Sequence, residues 1–242
     1  ELALASDLKN LGEGHPSVST RRSNLAAVLQ DLGDLPRARD LLELAFASAL
    51  KNLGEGHPSV STSRSNLAAV LHALGDLPRA RDLLELALAS DLKNLGEGHP
   101  SVSTTRSNLA LVLQDLGDLP RARDLLELAL ASDLKNLGEG HPSVATRRFN
   151  LASICEQERD LATAREHLRL ALTVEERSLG PDNPSTAFTR VRLAEILGHL
   201  GEADPARAEA NRALAAVAAQ PAGSAYRVAV ERIARQILES SK

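Results

Sequence analysis

The stretch NLAAVLQDLGDLPRARDLLELAFAS, residues 24–48, decides the fold because the chain repeats it almost letter for letter. It returns as NLAAVLHALGDLPRARDLLELALAS at 66–90 and as NLALVLQDLGDLPRARDLLELALAS at 108–132. When the chain is cut every 42 residues, units one and three agree at 40 positions and units one and two at 37, whereas unit four keeps 29. A fixed period of this length is typical of a solenoid, in which each repeat packs on its neighbours.

Each unit contains two helical patterns separated by a short break. The first pattern runs from about Pro16 to Leu32 and ends at Gly33–Asp34, since glycine is the usual residue after a helix. The second runs from about Pro36 to Asn52 and ends at LGEGHP, residues 53–58. Apolar residues recur near a 3.6-residue spacing, and in the first pattern the predicted stripe is Val18, Leu25, Ala26, Val28, Leu29 and Leu32. Because glycine and proline interrupt every unit, the alternative of a continuous coiled coil with six heptads per repeat fails.

Composition narrows the class of protein. The chain has 242 residues, of which 43% are apolar, 25% charged and only 2% aromatic, so its core must consist of Leu, Ala and Val. A net charge of −4 does not favour nucleic-acid binding, which usually needs a basic domain. No apolar run reaches the roughly 18 residues of a membrane helix. The single cysteine favours a reducing compartment, and we expect a cytoplasmic protein.

The spacing of small and large residues resembles a known repeat family. Leu25-Ala26-x-x-Leu29, Gly33-Asp34 and Ala38-x-x-x-Leu42-x-x-Ala45 resemble the tetratricopeptide repeat signature. The 42-residue period, with LGEGHPSV and NLA, is similar to the kinesin light chain type of this repeat, which also occurs in bacterial multidomain signalling proteins. The resemblance implies an all-α fold, a right-handed superhelical solenoid of antiparallel helix pairs whose first helices form the inner wall. HEAT-like helix pairs remain an alternative at this period.

The expected organisation is one solenoid over residues 1–242. We expect a truncated helix at 1–12, helix pairs at 13–54, 55–96, 97–138, 139–180 and 181–220, and a capping helix at 221–242. The N-terminal helix leaves Leu2, Leu4 and Leu8 uncovered, so we expect either an upstream unit of the full protein or another chain to cover them, and we predict self-association through this end.

The sequence offers no site for catalysis, a metal or a cofactor. One histidine falls at the same place in four units, at His15, His57, His99 and His141. Copies on neighbouring repeats lie about 10 Å apart, too far to share a zinc ion, so we expect loop or helix-start residues. Cys155 takes the place of Leu29 and is expected to be a buried apolar residue. No nucleophile, phosphate-loop or metalloprotease motif is present, so the sequence predicts a binding protein and not an enzyme.

A column of asparagines on the first helices is the candidate binding site. It consists of Asn24, Asn66, Asn108 and Asn150. Asn is a mediocre helix former, and its amide offers the donor and the acceptor that a peptide bond needs. The family resemblance implies that this asparagine holds a peptide backbone. An extended peptide rises about 3.3 Å per residue, so rungs about 10 Å apart would meet every third residue. The alternative is an amide that bonds to a neighbouring repeat.

Residues beside the asparagines are expected to set selectivity, because most differences between the near-identical units fall on the first helix. The candidates are Ser23, Ser65, Ser107, Phe149, Ala27, Ala69, Leu111, Asp31 and Asp115. Two alternatives stay open: neutral drift at exposed positions, and packing of Phe149 against the divergent fifth unit.

A second column holds arginine where the family usually has a large apolar residue. Its members are Arg22, Arg64, Arg106, Arg148 and Arg190. We expect the stems to pack between helices and the charges to meet second-helix acids such as Asp40 and Glu43. If the guanidinium groups reach the groove instead, they would favour acidic peptides.

The sequence therefore predicts a scaffold that binds an extended peptide or protein segment, without nucleic acid or membrane partners. One alternative is a sensor or oligomerisation arm of a larger signalling protein, which would use the convex face or the ends. Another is a recently amplified or designed scaffold without a dedicated ligand.

Overall fold

The computed structural model describes residues 2–240, and these form twelve α-helices without a strand. The helices are α1 Leu2–Leu11, α2 Pro16–Asp31, α3 Leu35–Leu53, α4 Pro58–Ala73, α5 Leu77–Leu95, α6 Pro100–Asp115, α7 Leu119–Leu137, α8 Pro142–Gln157, α9 Leu161–Ser178, α10 Pro184–His199, α11 Ala203–Val217 and α12 Ala225–Ser240. Consecutive helices pack in pairs, so the predicted all-α class of helix-pair repeats is confirmed.

The chain divides into two compact units, and α7 crosses the boundary between them. Unit 1 ends at Leu125 and unit 2 begins at Leu126. In unit 1, α2 packs on α3 and α4 on α5, and each second helix also contacts the next first helix. In unit 2, α8 packs on α9 and α10 on α11 in the same way.

The small residues of the repeat signature lie where paired helices approach most closely. Ala26, Ala38 and Ala45 are buried, and Leu42 fills the space between the helices. Within the predicted stripe of α2, Val28 and Leu32 are wrong as core residues, because both are exposed. The valines equivalent to Val28 are buried in α4 and α6, which have a preceding first helix beside them, and α2 has none.

Histidine side chains begin four of the first helices. In each case the imidazole Nδ1 accepts a hydrogen bond from the backbone N–H two residues later, as His15 does from Ser17 at 3.2 Å. His57, His99 and His141 form the same bond at 3.1 Å. In α10, Asn183 takes this place, and its Oδ1 accepts from Ser185 at 2.9 Å. The repeated histidines therefore lie at helix starts, as expected, and the Nδ1 atom of each caps the helix that it precedes.

The turn after each first helix needs a left-handed backbone. Glycine supplies it at Gly33, where φ is 79°, and Gly75 and Gly117 match this value closely. Arg159 holds the same place after α8 with φ of 64°, in the region that favours glycine. The fourth repeat therefore keeps the turn with a residue that strains it.

The two ends of the described chain differ in cover. α1 contains no buried residue, and Leu2 is 90% exposed. Self-association through this end stays a prediction. α12 instead packs on α10 and α11 and buries Val230, Ile233, Ala234 and Ile237. Within residues 2–240, no helix combines the length and apolar character that a bilayer crossing requires.

Candidate peptide-binding face

First helices of neighbouring repeats touch each other in unit 1. α2 contacts α4 and α4 contacts α6, whereas α3 and α5, in the described part of the chain, have no contact of similar extent. The first helices therefore lie on the inner side of the curve within this unit. We call their solvent-facing side, with its asparagines, the first-helix face, and use the same name for the equivalent side of α8 and α10.

The asparagine side chains are open to solvent at one end of this face. Asn24 and Asn66 are exposed, and Asn108 and Asn150 are half-buried. Within residues 2–240, the side-chain amides of Asn24, Asn66 and Asn108 form no hydrogen bond to the protein. For these three, the structure therefore shows no bond to a neighbouring repeat, which was the alternative interpretation.

Different asparagines, on the second helices, do bond to other parts of the repeat. Asn52 Nδ2 donates to the carbonyl of Gly14 at 2.7 Å, and Asn94 Nδ2 donates to that of Gly56 at 2.6 Å. These amides tie the end of a second helix to the loop before the preceding first helix. The chain thus contains structural asparagines and open ones, at separate positions.

The other candidate residues differ in accessibility. Ser23, Ser65 and Leu111 are half-buried, and Ala27, Ala69 and Asp31 are exposed. Ser107 is only 1% exposed, so its hydroxyl is not offered to a ligand, although the same serine is accessible in the first two repeats. Asp115 is exposed, and its Oδ2 lies 2.6 Å from Nε2 of His72. His72 is one of the residues at which the second 42-residue repeat differs from the first and third.

The column of arginines is not open on the first-helix face. Arg22, Arg64, Arg106 and Arg190 are buried, and Arg148 is half-buried. The first three pair with the glutamate of the loop before their own helix: Arg22–Glu13 at 3.8 Å, Arg64–Glu55 at 3.8 Å and Arg106–Glu97 at 3.5 Å. The predicted pairing with second-helix acids is confirmed at Arg190, which pairs with Glu176 of α9 and Glu209 of α11. It is wrong for the two acids named, because Asp40 pairs with Arg39 and Glu43 with Arg79. Arg64 also lies over the ring of Phe46, 5.8 Å from its centroid.

Each of α1, α5, α7 and α9 makes a polar contact with the first helix that follows it, and we call the two positions that form it the junction pair. An acid on the second helix meets a residue fourteen positions later. The pairs are Asp7–Arg21, Asp91–Thr105 at 2.9 Å, Asp133–Arg147 at 3.2 Å and Glu175–Thr189. Asp91 also accepts a hydrogen bond from Ser61 at 2.5 Å. At the junction of α3 and α4, the two positions hold Ala49 and Ser63, which leaves this junction without a charge.

Burial shifts the titration of the junction pairs in unit 2. It raises the pKa of Glu175, and the hydrogen bond from Thr189 opposes this shift only in part. Burial also lowers the pKa of Arg147, against the attraction of Asp133. Among residues 2–240, Oε2 of Glu175 and Oδ2 of Asp133 are both buried without a hydrogen-bond partner, and Asp133 has an ion pair with Arg147 in addition.

A pocket of about 290 Å³ opens where the junction lacks its acid. Ala49, Asn52 and Leu53 of α3 line one side of it. The remaining lining comes from α2 and α4, and includes Asn24 and Asn66. Because Ala49 and Ser63 are small, a pocket lies directly beside the two open asparagines.

The first-helix face of unit 2 is aromatic and charged. Phe149 and Phe188 contact each other in a tilted arrangement with ring centroids 5.9 Å apart and an interplanar angle of 38°, and Phe188 meets Tyr226 edge to face at 6.1 Å. Phe149 thus packs against the fifth repeat, which was the alternative to a ligand contact, yet it also lines an open pocket of about 170 Å³. Arg192 stands in the asparagine position of α10 and pairs with Glu156 and Glu195.

Sequence reasoning missed the junction pairs, the pocket and the aromatic cluster. One signal was present: between the first two units Asp7 becomes Ala49 and Arg21 becomes Ser63, so both members of a pair change together. The aromatic cluster had a weaker signal, since three of the four aromatic residues of the chain lie after residue 148. Cys155 is buried in the apolar core, as its register with Leu29 predicts.

Comparison with known proteins identifies the repeat. The family model described as the tetratricopeptide repeat matches residues 17–93, 101–174 and 147–219. A solved kinesin light chain-like protein of Podosopora anserina, with nearly identical TPR-like repeats, is 29% identical; the match covers 85% of this chain and 98% of that one, with a TM-score of 0.72. BtubC (BKLC) from P. vanneervenii shares the fold at 24% identity, over 89% of this chain and 85% of that one, with a TM-score of 0.74. No curated protein sequence matches the chain significantly.

Proposed function

Because the chain belongs to the tetratricopeptide repeat family, whose repeats generally serve protein–protein interaction, we propose that its first-helix face binds an extended peptide segment. The asparagine rungs hold the backbone of that segment, and the residues beside them contact its side chains. The suspected similarity to the kinesin light chain type of repeat is confirmed, and such repeats are non-enzymatic scaffolds.

The observation that carries this proposal is the open state of the rung amides. Asn24 and Asn66 are exposed and their amides form no hydrogen bond within residues 2–240, whereas the structural asparagines Asn52 and Asn94 donate to loop carbonyls. A primary amide can donate to a peptide carbonyl and accept from a peptide N–H at the same time. Rungs about 10 Å apart match the rise of about three extended residues. The face therefore supplies backbone contacts at regular intervals without requiring one sequence.

Removal of two rungs tests the proposal. A peptide selected on the unmodified chain from a random display library is titrated against the double variant Asn66→Ala with Asn108→Ala. Two lost hydrogen bonds of about 1 kcal/mol each should weaken binding about tenfold or more. The melting temperature should not fall, because these amides hold no part of the fold.

The control removes an asparagine of the same kind from another face. Asn211 is exposed on α11, a second helix, so Asn211→Ala should leave the affinity for the selected peptide unchanged. Unchanged affinity in the double rung variant would remove the asparagines from the mechanism, whatever the control does.

A second candidate places the partner on the second helices, as in a sensor or oligomerisation arm. Leu44 and Leu86 favour it, since both large apolar side chains are exposed at the same position of α3 and α5. Hydrogen exchange with and without the selected peptide separates the two candidates. Protection of α2 and α4 supports the first-helix face, whereas protection confined to α3 and α5 supports the second.

A further inference from the structure

The pocket between α2 and α4 has a chemistry that no other junction of unit 1 shares. At the neighbouring junctions, an acid and its partner occupy the corresponding positions, Asp7 with Arg21 and Asp91 with Thr105. Ala49 and Ser63 are smaller and uncharged, and about 290 Å³ of space remains between the helices. Replacement of the acid and its partner by Ala49 and Ser63 leaves an open pocket where the neighbouring junctions have a polar contact.

Hydroxyl groups line the pocket mainly as acceptors. Thr20, Ser23, Thr62 and Ser63 donate their hydroxyl hydrogens to backbone carbonyls four residues earlier, at 2.9–3.3 Å. Each oxygen keeps lone-pair capacity after this bond, because a hydroxyl has one donor and two acceptor sites. These hydroxyl oxygens can therefore accept hydrogen bonds from donor groups of a ligand.

Donors are supplied to the same pocket by the two rungs on its rim. The amide groups of Asn24 and Asn66 each have two N–H donors and an acceptor oxygen, and none of the described residues forms a hydrogen bond with them. Every residue that lines the pocket is uncharged. Three classes of side chain can be weighed against this lining.

A charged side chain would lose hydration in the pocket without meeting an opposite charge, which is costly. An apolar side chain would cover hydroxyl and amide groups and leave them without partners. A primary amide matches both needs, since its two N–H groups face acceptor oxygens and its carbonyl accepts from an asparagine amide.

We propose that the pocket between α2 and α4 binds the primary amide of a glutamine or asparagine side chain from a peptide on the first-helix face. The inference rests on the proposed function for the course of the peptide, and adds the side-chain class recognised at one position. The other junctions of unit 1, filled by their acids, do not make this selection.

Capped amino acids test the pocket separately from the peptide backbone. N-acetylglutamine methylamide is titrated by NMR against the intact chain, with the capped glutamate and norleucine derivatives as matched probes of similar length. We expect saturable shifts at the backbone amides of Ser63 and Asn66 with the glutamine probe, and at least tenfold weaker binding of the other two. Absence of saturable shifts, or equal binding of the three probes, would overturn the proposal.

Reciprocal variants of the junction pair provide the matched control. Ala49→Asp with Ser63→Thr copies the residues that the α5–α6 junction already holds, so the fold should persist while affinity for the glutamine probe falls at least tenfold. Asp91→Ala with Thr105→Ser makes the opposite change and should add a second set of saturable shifts near Asn108. Retained binding in the first variant would contradict the assignment of the pocket.

The two proposals fail separately. If the glutamine probe binds but the selected peptide ignores the rung substitutions, the pocket stands and the asparagine mechanism falls. If the peptide depends on the rungs but shows no preference for an amide side chain, the pocket assignment alone falls.

Discussion

The first-helix faces of the two units use one register for different chemistry. In unit 1 the face is built from asparagine, serine, threonine and alanine, with an uncharged pocket beside Asn24 and Asn66. In unit 2 the same face carries two phenylalanines in contact and Arg192 held between carboxylates. The core residues behind both faces are mainly Ala and Leu, with Val, Ile and Cys155 at some positions. The difference shows that the repeat frame tolerates a complete change of surface while its packing is preserved.

The two faces also differ in how their polar groups are satisfied. Arg192 forms ion pairs within the protein, whereas the amides of Asn24 and Asn66 form no hydrogen bond to the part of the chain that the structure describes. A ligand on unit 1 therefore meets open hydrogen-bonding groups, and a ligand on unit 2 must compete with existing ion pairs or stack on aromatic rings. Backbone recognition is the better match for unit 1, and side-chain stacking for unit 2.

Substitution at one register position in both units gives the largest expected contrast. Phe188→Ala removes the central ring of the aromatic cluster and should lower the free energy of unfolding by about 2 kcal/mol, less than the ~3–5 kcal/mol of a fully buried ring. Thr62 holds the equivalent exposed position in α4, and Thr62→Ala should change stability by no more than about 0.5 kcal/mol. Chemical denaturation measures both. Equal effects would show that the aromatic residues do not stabilise unit 2.

A second contrast concerns the turn after the first helix. Glycine holds the left-handed turn after the first helices of unit 1 and after α10, and Arg159 holds it after α8 in unit 2. Arg159→Gly should raise the free energy of unfolding by about 1 kcal/mol. A residue with a Cβ is destabilised by about 1–2 kcal/mol in the left-handed conformation, and the greater chain entropy of glycine in the unfolded state offsets part of the relief. Gly75→Arg is the reciprocal control and should destabilise unit 1 by a similar amount. A stabilising Gly75→Arg would refute strain as the distinction.

Much of the fold follows from the sequence, because a helix period and a repeat period together fix which residues face inward. The buried alanines at 26, 38 and 45 and the buried Cys155 follow from register alone. The placement of the open asparagines on the first helices follows in the same way. What register cannot give is accessibility, since Ser23 and Ser107 are the same residue at the same position and only Ser107 is buried.

Contacts between repeats were harder to predict than positions within one. The arginine column was expected to pair with second-helix acids, and Arg190 does so, but Arg22 and Arg64 pair with the glutamate of the loop that precedes their own helix. The sequence correctly predicted that the histidines lie at helix starts. It did not predict that their Nδ1 atoms accept hydrogen bonds, because this depends on the rotamer of the ring. The exchange of Asn183 for this histidine was the available clue.

The junction acids give the smallest contrast, and it depends on pH. Asp91 in unit 1 accepts hydrogen bonds from Ser61 and Thr105, whereas Glu175 in unit 2 keeps one buried oxygen without a partner and has a raised pKa. A carboxyl whose pKa is raised in the folded state stabilises the fold when protonated, and this contribution is lost as pH rises through the folded pKa. Glu175→Gln should therefore stabilise the chain by about 1 kcal/mol at neutral pH and leave it nearly unchanged in acid, where Glu175 is neutral as well. Asp91→Asn should instead destabilise at neutral pH, because it replaces an acceptor of two hydrogen bonds by a group that also donates. Thermal unfolding of both variants across the acidic to neutral range measures the contrast, and a stability gain of Glu175→Gln that does not vary with pH would exclude the carboxyl charge as its cause.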